Sequence, residues 1–416
     1  MLRDRMDHVP SQLMSLGEIG VELTDDSARR ISCAANSDAP VSGLTHGFYR
    51  YPARFSPLLV RALVEAFTEP GDLVLDPFMG GGTTLVEATA LGRRAAGCDV
   101  SSLAVFVSRV KTTLLDRNDV QTLEDWLDRL PPKLKLSMPA ARDAKWSEEG
   151  YQRNIDGKET WRIRKVLELA VAAISDLPRS RQQRFARCAL LKTGQWALDC
   201  RKQIPTIQLF RDQLYMNVHS MVAAVQEYAV EVTANTPRGI HAPFSLCLHR
   251  SAIGLESEAC LRDSAPRLIV TSPPYPGVHV LYHRWQVRGR KETPAPFWLA
   301  SSLDGSGPSY YTFGGRRDAN LGKYYRTVEE CFRSISQIVD RDTMIVQVIA
   351  FPEAWQVDEY LGVMEQAGFK EMRRMFPDLS SNDDRLCRIV PHRKWYADQR
   401  GSLGSAREVI FLHQLS

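Results

Sequence analysis

Apolar runs and helical stripes alternate along this chain, a pattern typical of α/β folds. Leu73 to Leu75 and Leu268 to Val270 are short apolar runs, and Met344 to Ile349 is apolar except for Gln347; all three predict buried strands. Apolar residues at helical spacing run from Leu58 to Phe67 and from Leu85 to Leu91, on either side of the first strand. The pattern therefore predicts an open α/β sheet, which binds its ligand at the carboxyl ends of the strands.

Residues 117–239 follow a different pattern. They carry long helical stripes, with arginine and lysine residues interspersed between Arg179 and Lys202. A basic helical segment of this kind fits contact with a nucleic-acid backbone, and it equally fits a solvated helical cap with ordinary surface charge. The pattern predicts a large helical insertion and leaves these two roles open.

The composition is that of a globular protein, with 416 residues of which 44% are hydrophobic and 25% charged. A net charge of +4 excludes a polycation, so any nucleic-acid surface is a local patch. None of the eight cysteines forms a C-x-x-C pair, which predicts reduced thiols in a cytoplasmic protein without a zinc site. No apolar run approaches the ~20 residues of a membrane span, and the N-terminus lacks the apolar stretch of a signal peptide.

A glycine-rich turn follows the first predicted strand. Asp76-Pro77-Phe78-Met79-Gly80-Gly81-Gly82-Thr83-Thr84 leads directly into the next helical stripe. Glycines let the backbone turn sharply and let a ligand approach closely, and the helix N-terminus offers free N–H groups. Asp99 ends the following strand, where an acid can accept both hydroxyls of a ribose. A nucleoside-type cofactor is one interpretation, and a tight βαβ turn with a helix-capping Asp99 is the other.

This glycine pattern is neither the dinucleotide fingerprint G-x-G-x-x-G nor a phosphate loop, which needs Gly-Lys-Ser/Thr. A cofactor without a pyrophosphate is therefore expected. S-adenosylmethionine fits that description.

A second turn, Thr271-Ser272-Pro273-Pro274-Tyr275, follows the strand Leu268 to Val270. Two successive prolines have no N–H, so they exclude both helix and continued strand pairing. The turn offers the Ser272 hydroxyl, the Ser272 and Pro273 carbonyls and the aromatic face of Tyr275. These groups suit a planar ring that carries an amino group. The alternative is a Pro-Pro turn in which Tyr275 fills a surface gap.

The aromatic segment His46 to Pro57, the two turns and Asp99 occur in an order that resembles bacterial amino-methyltransferases acting on DNA. The Ser-Pro-Pro-Tyr form is most similar to their cytosine-N4-specific branch. The resemblance covers residues 46–111 and roughly 245–416. It implies an α/β fold with a doubly wound, seven-stranded S-adenosylmethionine-dependent methyltransferase sheet.

The same resemblance implies a division of the chain. Residues 1–45 would be an N-terminal extension, and residues 46–116 and 240–416 would form the catalytic domain. Residues 117–239 would be an insertion that contacts DNA or recognises the target.

Site residues follow from the resemblance, position by position. Ser272, Pro273, Pro274 and Tyr275 would form the catalytic turn. The implied cofactor contacts are His46, Tyr51, Pro52, Phe55, Asp76, Pro77, Phe78, Gly80, Gly82, Thr83 and Asp99. Basic residues interleaved with aromatics suit a loop that grips DNA phosphates, and those implied are Arg284, Arg288 and Arg290.

The implied reaction transfers a methyl group from S-adenosyl-L-methionine to N4 of a cytosine extruded from duplex DNA. Ser272 and the Pro273 carbonyl would accept the two amino hydrogens and free the nitrogen lone pair. Neither a metal nor a membrane is expected to take part, and a cognate restriction endonuclease is a candidate partner. Methylation of adenine N6, methylation of structured RNA and a catalytically silent nucleic-acid-binding subunit stay open as alternatives.

Overall fold

The structure is a computed structural model of the chain. It describes residues 23–51, 55–139, 144–237, 245–262, 264–276, 284–289, 291–305, 308–314, 321–373, 385–389 and 407–416.

A central sheet and a separate hairpin contain the strands of the described residues. The strands are β1 (Leu73–Asp76), β2 (Arg94–Asp99), β3 (Ser245–His249), β4 (Leu268–Thr271), β5 (Trp285–Val287), β6 (Lys291–Thr293), β7 (Met344–Ile349), β8 (Phe369–Glu371), β9 (Cys387–Ile389) and β10 (Arg407–Leu415). The central sheet has the order β3-β2-β1-β4-β7-β10-β8, with β9 also paired to β10. Strands β3, β2, β1, β4 and β7 are parallel, and β10 is antiparallel to its neighbours.

The strand order contains one reversal. The chain runs outwards from β1 to β2 and β3, and it then crosses back to place β4 on the other side of β1. Such a reversal is a topological switch point, beside which open α/β sheets bind ligands at the carboxyl ends of their strands. A ligand site is therefore expected at the carboxyl ends of β1, β2 and β4.

Thirteen α-helices are present in the described residues. They are α1 (Asp25–Ala35), α2 (Pro57–Phe67), α3 (Thr83–Ala90), α4 (Ser102–Lys111), α5 (Arg117–Arg129), α6 (Ala144–Glu148), α7 (Trp161–Ala173), α8 (Ser180–Leu198), α9 (Ile207–Asn235), α10 (Ala259–Arg262), α11 (Ala295–Ala300), α12 (Gly322–Ser336) and α13 (Ala354–Gln366). The start of α2 shows local sequence control, because the Ser56 hydroxyl accepts from the Leu59 N–H and Pro57 occupies the first turn. None of the helices in this part of the chain has the length and apolar character needed to cross a bilayer.

The two faces of the sheet bury different residues of the same strands. Val74 packs with α1 and α2 on one face, and its neighbour Leu75 packs with α12 and α13 on the other. Consecutive strand residues point to opposite faces, so a strand covered on both sides is apolar throughout. The predicted doubly wound α/β sheet is confirmed.

The helical insertion predicted for residues 117–239 contains helices α5 to α9 in the described residues. It shares a hydrophobic core with parts of the chain that the sequence assigned to the catalytic domain. Phe185 and Phe210 of the insertion lie in one cluster with Phe106 of α4 and with Trp285 and Phe297. The packing therefore joins the insertion to the sheet through α4.

The sheet differs from the seven-stranded prediction by β9, which lies in the polar stretch 377–405. Leu386 precedes β9 and is completely buried, which anchors this short strand against β10. A few apolar residues in a largely polar stretch give too weak an alternation to predict a strand.

Candidate functional site

The glycine-rich turn lies at the carboxyl end of β1 and begins α3. Gly80 and Gly82 have φ angles of +45° and +74°, in the left-handed region that favours glycine. A Cβ on Gly82 would lie 2.5 Å from the Ser108 hydroxyl oxygen and 2.8 Å from the Ser108 Cβ. Both the backbone conformation and this close approach require glycine at position 82.

Helix α4 holds the glycine turn through two hydrogen bonds. Ser108 donates to the Gly80 carbonyl at 3.1 Å, and the Nζ of Lys111 donates to the Gly81 carbonyl at 2.7 Å. Lys111 is 1% exposed. Sequence reasoning missed both residues, because nothing local in α4 indicates which carbonyl groups it will meet.

Asp99 ends β2 and faces the glycine turn. One of its carboxylate oxygens accepts from the Gly80 N–H at 2.9 Å, and the other accepts from the Ser101 N–H at 2.7 Å. Burial raises the pKa of Asp99 to about 6, while these two hydrogen bonds oppose the rise. Because a carboxylate has about four lone-pair sites, Asp99 retains capacity to accept further hydrogen bonds.

Asp76 joins the two predicted turns. It is 1% exposed and accepts from the Phe78 N–H at 3.1 Å and from the Thr271 hydroxyl at 2.7 Å. Thr271 ends β4 and Phe78 belongs to the glycine turn, so one buried carboxyl ties the two turns together. Burial raises the pKa of Asp76 to about 6, despite the hydrogen bonds that favour its ionised form.

The rest of the glycine turn divides into buried and accessible residues. Pro77 and Thr83 are buried, whereas Phe78 and Gly80 are partly exposed and can be reached by a ligand. The Phe78 ring packs edge-on against Phe313 at a centroid distance of 5.6 Å.

The aromatic segment that precedes α2 packs beside the turn. Tyr51 is 5% exposed, and its Cβ would lie 3.0 Å from a Cβ on Gly81. His46 is completely buried, with its Nε2 atom 2.6 Å from Glu87 of α3, and Glu87 also binds Arg61 at 2.7 Å. The segment is therefore docked onto α3 through a buried charged group that the sequence did not reveal.

Phe55 and Pro52 are two further predicted cofactor contacts. Phe55 is partly buried and packs against the cluster of α1 and α2. That cluster also contains Met79 of the glycine turn, and contact of Phe55 with a cofactor stays a prediction. Pro52 lies outside the described residues.

At the end of β4, the second turn is held by hydrogen bonds from its side chains. The Ser272 hydroxyl lies 2.8 Å from the Val348 carbonyl and 3.3 Å from the Tyr275 hydroxyl. The Tyr275 hydroxyl donates to Glu408 at 2.5 Å, and Arg388 lies 3.5 Å from the same carboxylate. A chain of hydrogen-bonding groups thus runs from Ser272 through Tyr275 to Glu408.

The side chains of this turn differ in access. Ser272, Pro274 and Tyr275 are partly exposed, and Pro273 is buried. Whichever acceptor Ser272 uses, its one proton is engaged, so towards a ligand its oxygen can act only as an acceptor. Glu408 lies 133 residues after Tyr275 in the chain, which is why sequence reasoning missed it.

The predicted phosphate-binding arginines are engaged with acids where the structure describes them. Arg284 binds Asp304 at 2.6 Å and lies 3.7 Å from Glu292, and Arg288 binds Glu159 at 3.1 Å. Arg290 lies outside the described residues. Contact of these arginines with DNA stays a prediction, and the paired acids weaken the charge available for it.

Part of the chain is similar to known proteins. Residues 31–106 match a family model described as DNA methylase. Type II methyltransferase M.MjaII of Methanocaldococcus jannaschii is 37% identical over 79 residues, which is 19% of this chain and 14% of that protein. Type II methyltransferase M.MvaI of Kocuria varians is 37% identical over 76 residues, 18% of this chain and 17% of that protein.

The chain is also similar to a protein whose name says that it acts on tRNA. The tRNA (guanine(10)-N2)-dimethyltransferase of Methanocaldococcus jannaschii is 34% identical over 92 residues, 20% of this chain and 26% of that protein. The matches thus cover between 14% and 26% of the lengths of these three relatives. The family match includes the glycine turn and Asp99, and it stops well before Ser272.

Replacing Gly82 by alanine should destabilise the chain by roughly 2–4 kcal/mol, because the change combines a positive φ angle with a clash against Ser108. Gly47→Ala is the matched control, since its Cβ would meet nothing within 4 Å. Urea unfolding measures both. Equal stability of the two variants would contradict the assigned turn geometry.

Binding of S-adenosylmethionine should weaken as the pH falls through about 6, the raised pKa of Asp99. The sign follows because ribose hydroxyls donate to the ionised carboxylate, so protonation competes with the ligand. Calorimetry should show a loss of about tenfold between pH 7.5 and pH 5 for one linked proton. Asp99→Asn should bind more weakly at pH 7.5 and with a shallower pH dependence. An unchanged pH profile in that variant would remove Asp99 from the binding site.

Proposed function

We propose that this chain is an S-adenosylmethionine-dependent methyltransferase that acts on an exocyclic amino group in DNA, with cytosine N4 as its target. The observation that carries the proposal is the bond from Thr271 to Asp76, which sets the Ser-Pro-Pro-Tyr turn beside the glycine turn. The DNA methylase match over residues 31–106 and the similarity to two Type II methyltransferases support the same reading.

The residues at the glycine turn fit the cofactor. Asp99 would hold the ribose, and the accessible Phe78 and Gly80 would contact the methionine part, with Tyr51 packed against the turn. S-adenosylmethionine, when bound, supplies a methyl group on a sulfonium, which is attacked by a nucleophile. The turn lacks the lysine of a phosphate loop, in keeping with a cofactor that has no phosphate.

Ser272 would act on the target amino group. Its proton is engaged within the protein, so its oxygen accepts one amino hydrogen while the Pro273 carbonyl accepts the other. Two acceptors favour a more tetrahedral nitrogen, whose lone pair is then less conjugated with the ring. This is electrostatic preorganisation, and it needs no charged base at the nitrogen.

The amino nitrogen loses one proton when it gains a methyl group. The groups from Ser272 through Tyr275 to Glu408 supply a route for that proton. When the Ser272 hydroxyl donates to Tyr275 instead of the Val348 carbonyl, Ser272 would take that proton and pass its own to Tyr275, which would pass its own to the Glu408 carboxylate. The Tyr275 ring would stack on the extruded base at the same time.

The target base follows from the turn alone. Serine before Pro-Pro is similar to the cytosine-N4 branch, and adenine N6 is the first alternative. Methylation of RNA is the second, because one relative is a tRNA dimethyltransferase. A catalytically silent subunit would not need the hydrogen bonds of Ser272. Duplex DNA is the proposed partner, and a restriction endonuclease is a candidate partner from the resemblance.

Ser272→Ala should bind S-adenosylmethionine as the wild type does and transfer methyl groups roughly a hundredfold more slowly, because an oriented acceptor is lost. Tyr275→Phe should also slow transfer, since the bond to Glu408 disappears while the ring remains. Tyr215→Phe is the matched control, because Tyr215 is 49% exposed on α9. The measurement is transfer of labelled methyl to duplex DNA, followed by identification of the methylated nucleoside.

Three outcomes would change the proposal. Wild-type rates in both Ser272→Ala and Tyr275→Phe would show that the site is misplaced. Methylation of adenine instead of cytosine would correct the target and leave the site intact. Transfer to RNA and not to duplex DNA would reassign the substrate.

A further inference from the structure

A basic cavity lies between α4 and α8, away from the glycine turn. Its volume is about 400 Å³. One face of α4 and one face of α8 line it, together with His249 at the end of β3 and the residues that follow α11. The methyl-transfer site as described above uses none of these lining residues.

Three arginines face this cavity: Arg109, Arg184 and Arg187. Among the described residues that line it, none is acidic. Arg109 donates to the Cys247 carbonyl at 3.0 Å, and Arg187 donates to the Leu299 carbonyl at 3.1 Å. These carbonyl contacts orient the two guanidinium groups.

Arg184 is the arginine whose surroundings most favour an anion in this cavity. Its Nε is buried and has no hydrogen-bond partner in the part of the chain that the structure describes. Burial lowers its pKa, and the nearby charge of Arg109 lowers it further. Neighbouring acids are engaged elsewhere, since Asp116 and Asp119 bind Arg179 and Arg181 at the start of α8.

The remaining polar lining also suits an anion. Ser102 and Ser180 lie in the first turns of α4 and α8, and both line the cavity. Helix N-termini carry free N–H groups and a partial positive charge. Cationic side chains and two helix starts therefore converge on one space.

The cavity opens at the same edge of the sheet as the proposed active site. Ser102 follows Asp99 by three residues, and His249 pairs with Asp99 in the sheet register. S-adenosylmethionine carries no phosphate, and its sulfonium and ammonium outweigh its single carboxylate, so a cluster of three arginines suits it poorly. An anionic part of the proposed DNA substrate suits the three arginines better.

We propose that Arg109, Arg184 and Arg187 form a subsite for a backbone phosphate of the duplex DNA that is methylated. This inference rests on the proposed function, and it assigns the contact to the α4–α8 cavity instead of Arg284 and Arg288, which are paired with acids. Guanidinium groups bind phosphate oxygens through paired hydrogen bonds as well as charge.

The test measures DNA affinity against salt concentration for the full chain, by fluorescence anisotropy with a labelled duplex. Arg184→Gln should bind roughly tenfold more weakly, and the slope of log affinity against log salt should fall by about one. Arg184→Lys should keep the slope because it keeps the charge. Arg333→Gln is the matched control, since Arg333 is exposed on α12 and paired with Glu329.

Thermal stability and methyl transfer are measured separately from DNA affinity. Arg184→Gln removes a cation that has no partner among described residues, so its thermal midpoint should equal or exceed that of the wild type. If wild-type protein transfers no methyl group but the salt slope still depends on Arg184, the proposed function fails and the phosphate subsite stands.

Several results would overturn the subsite. Arg184→Gln could show the same slope as Arg333→Gln, or the Arg184-dependent binding could be to RNA and not to duplex DNA. Inorganic phosphate, added at constant ionic strength, should compete with DNA in the wild type and not in Arg184→Gln. Phosphate that binds through Arg184 without displacing DNA would assign the cavity to a free anion.

Discussion

The buried bond between Asp76 and Thr271 is the interaction on which the arrangement of the site depends. It spans β1 and β4, the two strands at the switch point of the sheet. Burying a carboxyl is costly, and the raised pKa of Asp76, about 6, records that cost. The hydrogen bonds to Asp76 offset part of that cost, and they hold the glycine turn next to the Ser-Pro-Pro-Tyr turn.

Helix α4 links this pair of turns to the insertion. One part of its surface holds the glycine turn through Ser108 and Lys111. Another part packs with the insertion and lines the arginine cavity through Arg109. The glycine turn and the proposed DNA contact therefore lie on different sides of one short helix.

The sheet could be predicted from the sequence because its signals are local. The strands β1, β4 and β7 are short runs of mostly apolar residues. The sharp turn at Gly82 was also predictable, since a strand, a turn and a helix meet there. The partners of His46 and Tyr275 were not, because Glu87 and Glu408 lie 41 and 133 residues away. The acids that engage Arg284 were missed for the same reason, since a basic stretch does not reveal the carboxylates that the fold brings to it.

The central claim is that the carboxyl ends of β1, β2 and β4 form one site for S-adenosylmethionine and a target base. A crystal structure of the chain with S-adenosylmethionine tests it most directly. The account predicts that the ribose hydroxyls lie within hydrogen-bond distance of the Asp99 carboxylate, with the methyl group directed towards Ser272. Cofactor density elsewhere on the molecule, or at Asp99 but with the methyl group turned away from Ser272, would contradict it.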